Sequence, residues 1–237
     1  MTRFILINTS HPGNVGAAAR AMKVMGFAEL VLVKPRFADV LSQEETVALA
    51  SGAADILTRA RIVETLEEAL DGVTYACATA MTPRDFGPPV REPRALFAEL
   101  AHTPHKLGLV FGSERYGMSN EDVYRCHAVL SIPTQPDYGS LNLAQAVQLL
   151  AYDWRQALGG FAVEARTQDP NLADAQAVQG LLTHWQASLE QIGFLDPAAP
   201  RKLMPRLNQL FNRAQLTTEE VHILRGIARQ MTKGSAD

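Results

Sequence analysis

The sequence predicts a three-layer α/β domain built on a mostly parallel sheet, followed by a small helical extension. Three observations support this fold class. Short apolar runs alternate with helical patterns through residues 1–158, as they do in βαβ units. These runs are nearly continuous, which is typical of strands that are covered on both faces. Beyond residue 171 the chain contains helical patterns and no run that favours a strand.

The order of the predicted elements follows this alternation. Short apolar runs predict strands over 4–7, 30–33, 75–79, 107–111 and 129–132. Helical patterns separate or follow them over 15–25, 44–50, 65–70, 93–100, 119–125 and 142–158. At about 150 residues per domain, the length of 237 residues is compatible with one or two domains. We therefore assign residues 1–158 to one domain.

A linker and a helical extension are predicted after this domain. Residues 159–171 combine Gly-Gly and Asp-Pro with scattered charges, a composition typical of linkers. Residues 172–237 form the predicted extension, with helices over 172–192, 201–213 and 217–231. Thr217 and Glu220 have the spacing of a capping box at the start of the last helix. Three such helices bury little apolar surface alone, so we expect them to pack on the first domain or on a second subunit.

The composition excludes several classes of protein. With 47% hydrophobic and 20% charged residues, the chain has the balance of a folded soluble protein. No run approaches the ~18 consecutive apolar residues of a membrane span. The N-terminal run MTRFILINTS is too short for a signal peptide and is expected to form the first strand. Two cysteines, Cys77 and Cys126, cannot make a disulfide framework, so we expect a reducing, cytoplasmic environment.

The net charge of −3 is unevenly distributed along the chain. Residues 1–158 carry −3, residues 159–200 carry −4 and residues 201–237 carry +4. A basic terminal segment is compatible with a nucleic-acid partner. An ordinary solvated helix face accounts for the same charges, so both interpretations stay open on charge alone.

The first polar motif, HPGNVGAAARAM (11–22), directly follows the first predicted strand. Gly13 and Gly16 permit close approach of the backbone. Asn14 and Arg20 are polar groups at a helix start otherwise made of small residues, and both can border one loop mouth. The segment lacks both the G-x-G-x-x-G fingerprint and the G-K-[ST] of a P-loop, which argues against a nicotinamide-dependent oxidoreductase.

The second motif, LVFGSERYGMSNEDV (109–123), places Glu114 and Arg115 between two glycines at the end of a buried strand. Open α/β sheets bind ligands at this edge, although a surface Glu–Arg ion pair is an alternative explanation. Ser119 is expected to cap the helix that follows.

In the third motif, LSIPTQPDYGSLNLAQAVQLLAYDW (130–154), Ser140 or Asn142 can cap the long helix. The same helix start can also donate hydrogen bonds to a ligand or a developing anion. No histidine and no G-x-S-x-G elbow accompany Ser140, which argues against a serine hydrolase. The histidines and cysteines lack metal-ligand spacing, so no metal site is expected.

Together these three segments resemble the SpoU (TrmH-type) branch of the SPOUT methyltransferases, which transfer a methyl group from S-adenosylmethionine to an RNA ribose 2′-hydroxyl. The matching motifs are NVGAAARAM (14–22), LVFGSERYGMSNE (109–121) and LSIPTQPDYGSLNLAQAV (130–147). The segments TSHPGN (9–14), MPRLNQLFNRA (204–214) and EEVHILRGI (219–227) are more similar to the branch that methylates pyrimidine nucleotide 32 in the tRNA anticodon loop.

The resemblance implies a deep trefoil knot in the catalytic domain, an obligate homodimer whose partner completes each active site, S-adenosylmethionine as cofactor and tRNA as partner. It implies cofactor contacts, made mainly by backbone groups, at Thr79, Ala80, Met81, Gly112, Ile132, Ser140, Leu141 and Asn142. The implied catalytic set is Arg20, Asn14, Glu114, Ser140 and Asn142, and the implied RNA contacts are Arg20, Arg115, Arg206 and Arg213.

The chemistry assigned to Arg20 follows from its guanidinium, which stays protonated in proteins and is therefore a poor general base. We expect it to clamp a phosphate and to stabilise the developing 2′-alkoxide, with the proton passing to a phosphate oxygen or to water. Two alternatives stay open: methylation of a different RNA or nucleotide, and a non-catalytic RNA-binding protein on the same scaffold. The complete polar set favours an enzyme, because a binding module does not need it.

Overall fold

The computed structural model describes residues 2–80, 84–164 and 170–233, which fall into two compact units, Met1–Ala162 and Val163–Asp237. The described part of the first unit contains one seven-stranded sheet in the order β3-β2-β1-β6-β4-β7-β5. Its strands are β1 (Thr2–Ile7), β2 (Glu29–Val33), β3 (Arg61–Val63), β4 (Tyr75–Thr79), β5 (Val90–Arg91), β6 (Leu107–Phe111) and β7 (Ala128–Leu130). Every pairing in this sheet is parallel.

Helices cover both faces of the sheet, which confirms the predicted three-layer fold class. They are α1 (Pro12–Val24), α2 (Glu44–Ala50), α3 (Ala54–Arg59), α4 (Leu66–Leu70), α5 (Pro93–Leu100), α6 (Asn120–Tyr124) and α7 (Leu143–Ala157). Side chains of a strand alternate between faces. Phe4 and Leu6 accordingly belong to one buried cluster, with residues of α1 and α7. Ile5 and Ile7 belong to the other, with residues of α4 and α6.

Three short elements were not predicted, and several predicted boundaries differ from the observed ones: α1 begins at Pro12 and not at residue 15, and α8 begins at Ala175 and not at residue 172. Strands β3 and β5 have three and two residues, lie at the sheet edges and contain no buried residue, so they lack the apolar run that would reveal them. Helix α3 is a six-residue continuation of the turn after α2. The prediction of a strand over 129–132 was wrong at both ends, because β7 begins at Ala128 and ends at Leu130.

Helix α1 lies close to α2, and this contact places the first motif. A Cβ atom on Gly16 would overlap the backbone carbonyl of Thr46, so this position requires glycine. The Thr46 hydroxyl is buried and donates a 3.0 Å hydrogen bond to the Pro12 carbonyl at the start of α1. The small, fully buried Ala18 and Ala19 let the helix pack closely on the sheet.

A buried cation on β1 ties the sheet to α4. Arg3 is 7% exposed and its Nε lies 2.6 Å from the Glu29 carboxylate. Its Nη1 donates to the carbonyls of Ala69, at 2.8 Å, and Asp71, at 2.6 Å. A positive charge at the carbonyl end of a helix is favoured by the helix dipole. Nothing in the strand pattern of the sequence predicts this role for Arg3.

The second unit contains α8 (Ala175–Gln191), α9 (Leu203–Ala214) and α10 (Thr218–Lys233). Its small core is formed by residues of all three helices and of the turn between α9 and α10, namely Val178, Leu181, Leu182, Phe211, Leu216 and Val221. The predicted capping box is confirmed: the Glu220 amide donates to Thr217 Oγ1 at 3.2 Å, and the Thr217 amide donates to Glu220 Oε2 at 2.7 Å. Residues 159–164 and 170–171, the described part of the predicted linker, form no helix or strand.

Candidate active site

A cavity of about 280 Å³ opens beyond the carboxyl ends of β4, β6 and β7. This edge is where open parallel sheets bind ligands. Its wall is formed by strand ends, the loops that follow them and the first turns of α7: Thr79, Ala80, Arg84, Phe111, Gly112, Ser113, Glu114, Tyr116, Gly117, Met118, Leu130, Ile132, Thr134, Gly139, Ser140, Leu141, Leu143 and Ala146. The lining therefore combines apolar and hydroxyl-bearing residues with two charged ones, Arg84 and Glu114.

The loop after β6 folds tightly back on itself. The Ser113 amide donates to the Gly117 carbonyl at 3.1 Å, and the Gly117 amide donates to the Ser113 carbonyl at 2.9 Å. Gly117 has φ +67°, in the left-handed region that favours glycine. A Cβ atom on Gly112 would overlap the Gly117 carbonyl and the Met118 amide. This loop can close only with glycine at position 112.

Glu114 extends from this loop to the loop between β1 and α1. Its Oε2 accepts hydrogen bonds from the Ser10 amide, at 2.9 Å, and the Ser10 hydroxyl, at 2.8 Å. Its Oε1 accepts from the His11 amide, at 3.3 Å, and from Asn14 Nδ2, at 2.8 Å. Burial acts to raise the pKa of Glu114, but the hydrogen bonds from Asn14 and Ser10 outweigh it and hold this pKa below its ordinary value. The carboxylate is therefore held ionised.

Asn142 connects the third motif to the first. The side-chain Oδ1 of Asn142 accepts from the Ala144 backbone amide at 2.9 Å and so caps α7, and the Asn142 backbone amide donates to Gln145 Oε1 at 3.3 Å. The remaining donor, Nδ2, reaches Asn14 Oδ1 at 2.9 Å. A continuous chain of hydrogen bonds thus runs from Asn142 through Asn14 to Glu114. The three motifs meet at this chain, although Asn14 is 100 residues from Glu114 and 128 residues from Asn142 in the sequence.

The structure places the predicted cofactor residues unevenly around the cavity. Those that line it are Thr79, Ala80, Gly112, Ile132, Ser140 and Leu141. Asn142 is outside the lining and contacts it only through its chain neighbours. Met81 lies outside the described residues. Leu143 and Ala146 also line the cavity and were not predicted from the sequence. Their three-residue spacing at the start of α7 places them on one helix face, and this spacing is the signal that could have indicated them.

Arg20 is on α1 and is exposed to solvent. Among the residues the structure describes, it forms no hydrogen bond or ion pair, and it does not line the cavity. Within the described residues of one chain, the hydrogen bonds of Glu114 and Asn14 go to each other, to Ser10, to His11 and to Asn142, and none of them reaches Arg20.

The other predicted RNA contacts are exposed cations. Arg115 follows Glu114, and its guanidinium lies over the ring of Tyr116. Arg206 and Arg213 are both exposed on α9, seven residues apart and thus on one helix face. No acidic residue occurs between Asp196 and Glu219, so α9 carries a purely positive set of charges.

Within residues 2–80, 84–164 and 170–233, no group of three or more histidine, cysteine or acidic side chains could hold a metal ion. No helix in those same ranges is both long enough and apolar enough to cross a bilayer. Cys77 and Cys126 are buried free thiols, and burial raises the pKa of both, that of Cys126 to about 12.

Family comparisons agree with this geometry. Residues 1–152 match the model of the SpoU rRNA Methylase family, and residues 176–237 match the model described as tRNA methyltransferase TrmJ, C-terminal domain. The chain therefore belongs to the SpoU methylase family. Its similarity extends to a particular group of relatives, the TrmJ proteins, across nearly the whole chain.

Two curated TrmJ proteins illustrate this similarity. The tRNA (cytidine/uridine/adenosine-2′-O-)-methyltransferase TrmJ of Pseudomonas aeruginosa is 41% identical over 243 residues, covering 98% of this chain and 93% of the relative. The tRNA (cytidine/uridine-2′-O-)-methyltransferase TrmJ of Salmonella typhimurium is 39% identical, with 98% of both chains covered. Among solved structures, TrmJ from Z. mobilis aligns with a TM-score of 0.83 at 28% identity, over 98% of this chain and 99% of that one.

Proposed function

We propose that this protein transfers the methyl group of S-adenosylmethionine to the ribose 2′-hydroxyl of a pyrimidine at position 32 of the tRNA anticodon loop. The observation that carries the proposal is the hydrogen-bonded chain of Glu114, Asn14 and Asn142 beside a cavity at the carboxyl edge of the sheet. The names of the TrmJ relatives supply the substrate class, tRNA, and the position of the acceptor atom on the ribose.

The cavity suits S-adenosylmethionine on the chemistry of its wall. Phe111, Leu130 and Leu143 offer apolar surface for an adenine ring, while strand-end backbone groups remain for its polar edge. Gly112 keeps the loop after β6 close to this wall, where any side chain would obstruct it. When bound, the cofactor supplies an electrophilic methyl group on a sulfonium. The protein must then align a weakly acidic hydroxyl with that methyl group.

Alignment is the task we assign to the polar chain. Because Glu114 is ionised and accepts four hydrogen bonds, Asn14 and the Ser10 loop are held in one arrangement. Holding two reactants in line can lower the barrier by about 7–11 kcal/mol at best. Ser140, at the cavity rim, and Asn142, at the start of α7, would border the ribose.

Arg20 is the cation that we assign to the reacting nucleotide. Its exposure and its lack of a partner among the described residues leave the guanidinium available to RNA. It would hold a phosphate and stabilise the developing 2′-alkoxide, and the proton would pass to a phosphate oxygen or to water. The homodimer and the trefoil knot implied by the family resemblance belong to this proposal, with the partner subunit completing each site.

The cations outside the cavity would bind the RNA backbone. Arg115 at the cavity mouth, and Arg206 and Arg213 on α9, can each neutralise a phosphate. Such contacts set affinity and register without reading sequence.

Methylation mapping tests the proposal directly. Purified protein, S-adenosylmethionine with a labelled methyl group and tRNA transcripts carrying C, U, A or G at position 32 are incubated, and 2′-O-methyl sites are mapped. The proposal predicts a single mark at position 32 in the C and U transcripts. The Pseudomonas relative is also named for adenosine, so the A transcript shows whether a purine is accepted. A mark at another nucleotide would overturn the position, and no methyl transfer to any RNA would overturn the enzyme assignment.

A further inference from the structure

Tyr116 occupies an unusual position at the mouth of the cavity. Its side chain contributes to the cavity lining, yet 78% of the residue is exposed. An isolated exposed aromatic on a protein surface needs no explanation. A tyrosine that borders a ligand cavity, two residues after Glu114, does need one, because under the proposed function it presents a large ring on the side from which RNA must approach.

The ring of Tyr116 has protein on one side. The Arg115 guanidinium carbon lies 5.3 Å from the ring centroid, within the range of a cation–π contact. With 78% of the residue exposed, most of the ring remains open to solvent. The Arg115 guanidinium and the Tyr116 ring therefore form an exposed cation–π pair with aromatic surface left free.

The backbone under this pair is held in place. The Tyr116 amide donates to Ser113 Oγ at 3.2 Å, and Ser113 and Gly117 exchange two backbone hydrogen bonds. Glu114 is fixed in turn by its bonds to the β1–α1 loop. Because the loop is ordered before any ligand arrives, a ligand that stacks on the ring loses less binding energy to ordering.

Distance limits which part of the RNA can reach the ring. Successive Cα atoms are 3.8 Å apart, so the Cα atoms of Glu114 and Tyr116 are separated by at most about 7.6 Å. Under the proposed function Glu114 belongs to the group that positions the ribose. A base attached to that ribose, or to the next one along the strand, is therefore within reach of the ring.

We propose that Tyr116, supported by Arg115, is a stacking platform for an unpaired nucleobase of the substrate RNA, at the methylated nucleotide or immediately beside it. This inference rests on the proposed function. Proteins that bind single-stranded RNA stack splayed bases on aromatic rings and guanidinium planes. Stacking tolerates any base, since every base has a π face. Tyr116 is thus a positioning residue that adds RNA affinity and does not select the base.

Four variants test this role in the full-length protein. Tyr116→Phe keeps the ring and removes the hydroxyl, Tyr116→Leu keeps apolar bulk without the π face, and Tyr116→Ala removes both. Tyr124→Ala is the matched control, because Tyr124 is an exposed tyrosine outside the cavity lining. Thermal unfolding and S-adenosylhomocysteine titration establish that each variant is folded and retains its cofactor site.

The KM for tRNA is the first readout. We expect the alanine and leucine variants to raise it about tenfold, and the phenylalanine variant and the control to stay within about twofold. Because Tyr116 also borders the cavity, S-adenosylhomocysteine affinity should fall by much less than the KM for tRNA rises. An unchanged KM in Tyr116→Ala would overturn the proposal. So would a phenylalanine variant as impaired as alanine, which would assign the effect to the hydroxyl, or an equal loss of S-adenosylhomocysteine affinity, which would assign the ring to the cofactor.

Fluorescence provides a readout that a purely structural role would not change. Anticodon-loop RNA carrying 2-aminopurine at the target position or at a neighbouring one is titrated with each variant. Stacking predicts quenching at one of these positions with wild type and Tyr116→Phe, and none with Tyr116→Ala. Quenching that is identical in all variants would refute the platform. This titration does not depend on methyl transfer, so its failure is distinguishable from failure of the proposed function in the mapping assay.

Discussion

Replacement of Glu114 by glutamine would test whether the polar chain has a fixed direction. Both carboxylate oxygens accept hydrogen bonds, Oε2 from Ser10 and Oε1 from His11 and Asn14. Glutamine has the same shape but offers one acceptor and one NH2 donor. In Glu114→Gln, the new NH2 group must therefore point at another hydrogen-bond donor, either a backbone N–H or the side-chain NH2 of Asn14.

The consequence extends along the chain to α7. If Asn14 rotates its amide to accept from the new NH2, its own NH2 then faces Asn142 Nδ2, which is a donor. Asn142 cannot reverse without losing its cap on the Ala144 amide. One donor stays unsatisfied in every arrangement. A partly exposed donor of this kind costs about 1–2 kcal/mol of folding free energy. If the misaligned group withdraws the same amount of stabilisation from the transition state, kcat/KM falls about tenfold.

Two measurements on Glu114→Gln test whether position 114 needs a group that only accepts hydrogen bonds. Denaturant unfolding should show a loss of about 1–2 kcal/mol in the free energy of unfolding. Single-turnover methyl transfer to tRNA should slow about tenfold, with S-adenosylhomocysteine affinity little changed, because the role we propose for Glu114 is to position the ribose. A variant as stable and as fast as wild type would refute the claim that an acceptor-only group is needed at this position.

Three further predictions concern pH, loop closure and RNA binding. Hydrogen bonds hold the pKa of Glu114 below its ordinary value of 4.5, so as the pH falls the unfolded chain takes up this proton before the folded protein does. The stability advantage of wild type over Glu114→Gln should therefore shrink below pH 4.5. A difference in urea melts that stays constant with pH would contradict this. Gly112→Ala should weaken S-adenosylhomocysteine binding by tenfold or more in calorimetry, roughly 1–3 kcal/mol of overpacking, whereas Gly52→Ala, with open space around it, should not. Removing Arg206 and Arg213 together should lower the slope of log affinity against log salt for tRNA by about 2, and an unchanged slope would exclude them from the RNA contact.

The sequence predicted the central part of the sheet and several helix caps because their signals are local. Continuous apolar runs indicated β1, β2, β4 and β6, and the spacing of Thr217 and Glu220 indicated the start of α10. Ser119 likewise caps α6, accepting from the Asp122 amide at 3.1 Å. Strands β3 and β5 have no such signal, since edge strands of two or three residues, none of them fully buried, depend on pairing with a neighbouring strand.

The residues of the site were predictable from the sequence, but their hydrogen-bond partners were not. Motif spacing and resemblance indicated Asn14, Glu114 and Asn142, and the structure brings all three together. That Glu114 would bind Asn14 and the Ser10 loop, leaving Arg20 without a partner in the described chain, depends on contacts between segments about a hundred residues apart. No local pattern contains that information. Tyr116 was overlooked because a tyrosine in a polar loop has no distinguishing spacing.

We propose that Arg20 activates the ribose of a substrate bound beside the cavity. Single-turnover methyl transfer and S-adenosylhomocysteine affinity in Arg20→Ala test this role, with Arg20→Lys as the control that keeps the charge and loses the planar fork. We expect turnover to be abolished in Arg20→Ala and partly retained in Arg20→Lys, while both bind S-adenosylhomocysteine like wild type. Wild-type turnover in Arg20→Ala, or an equal loss of turnover and of cofactor affinity, would contradict it.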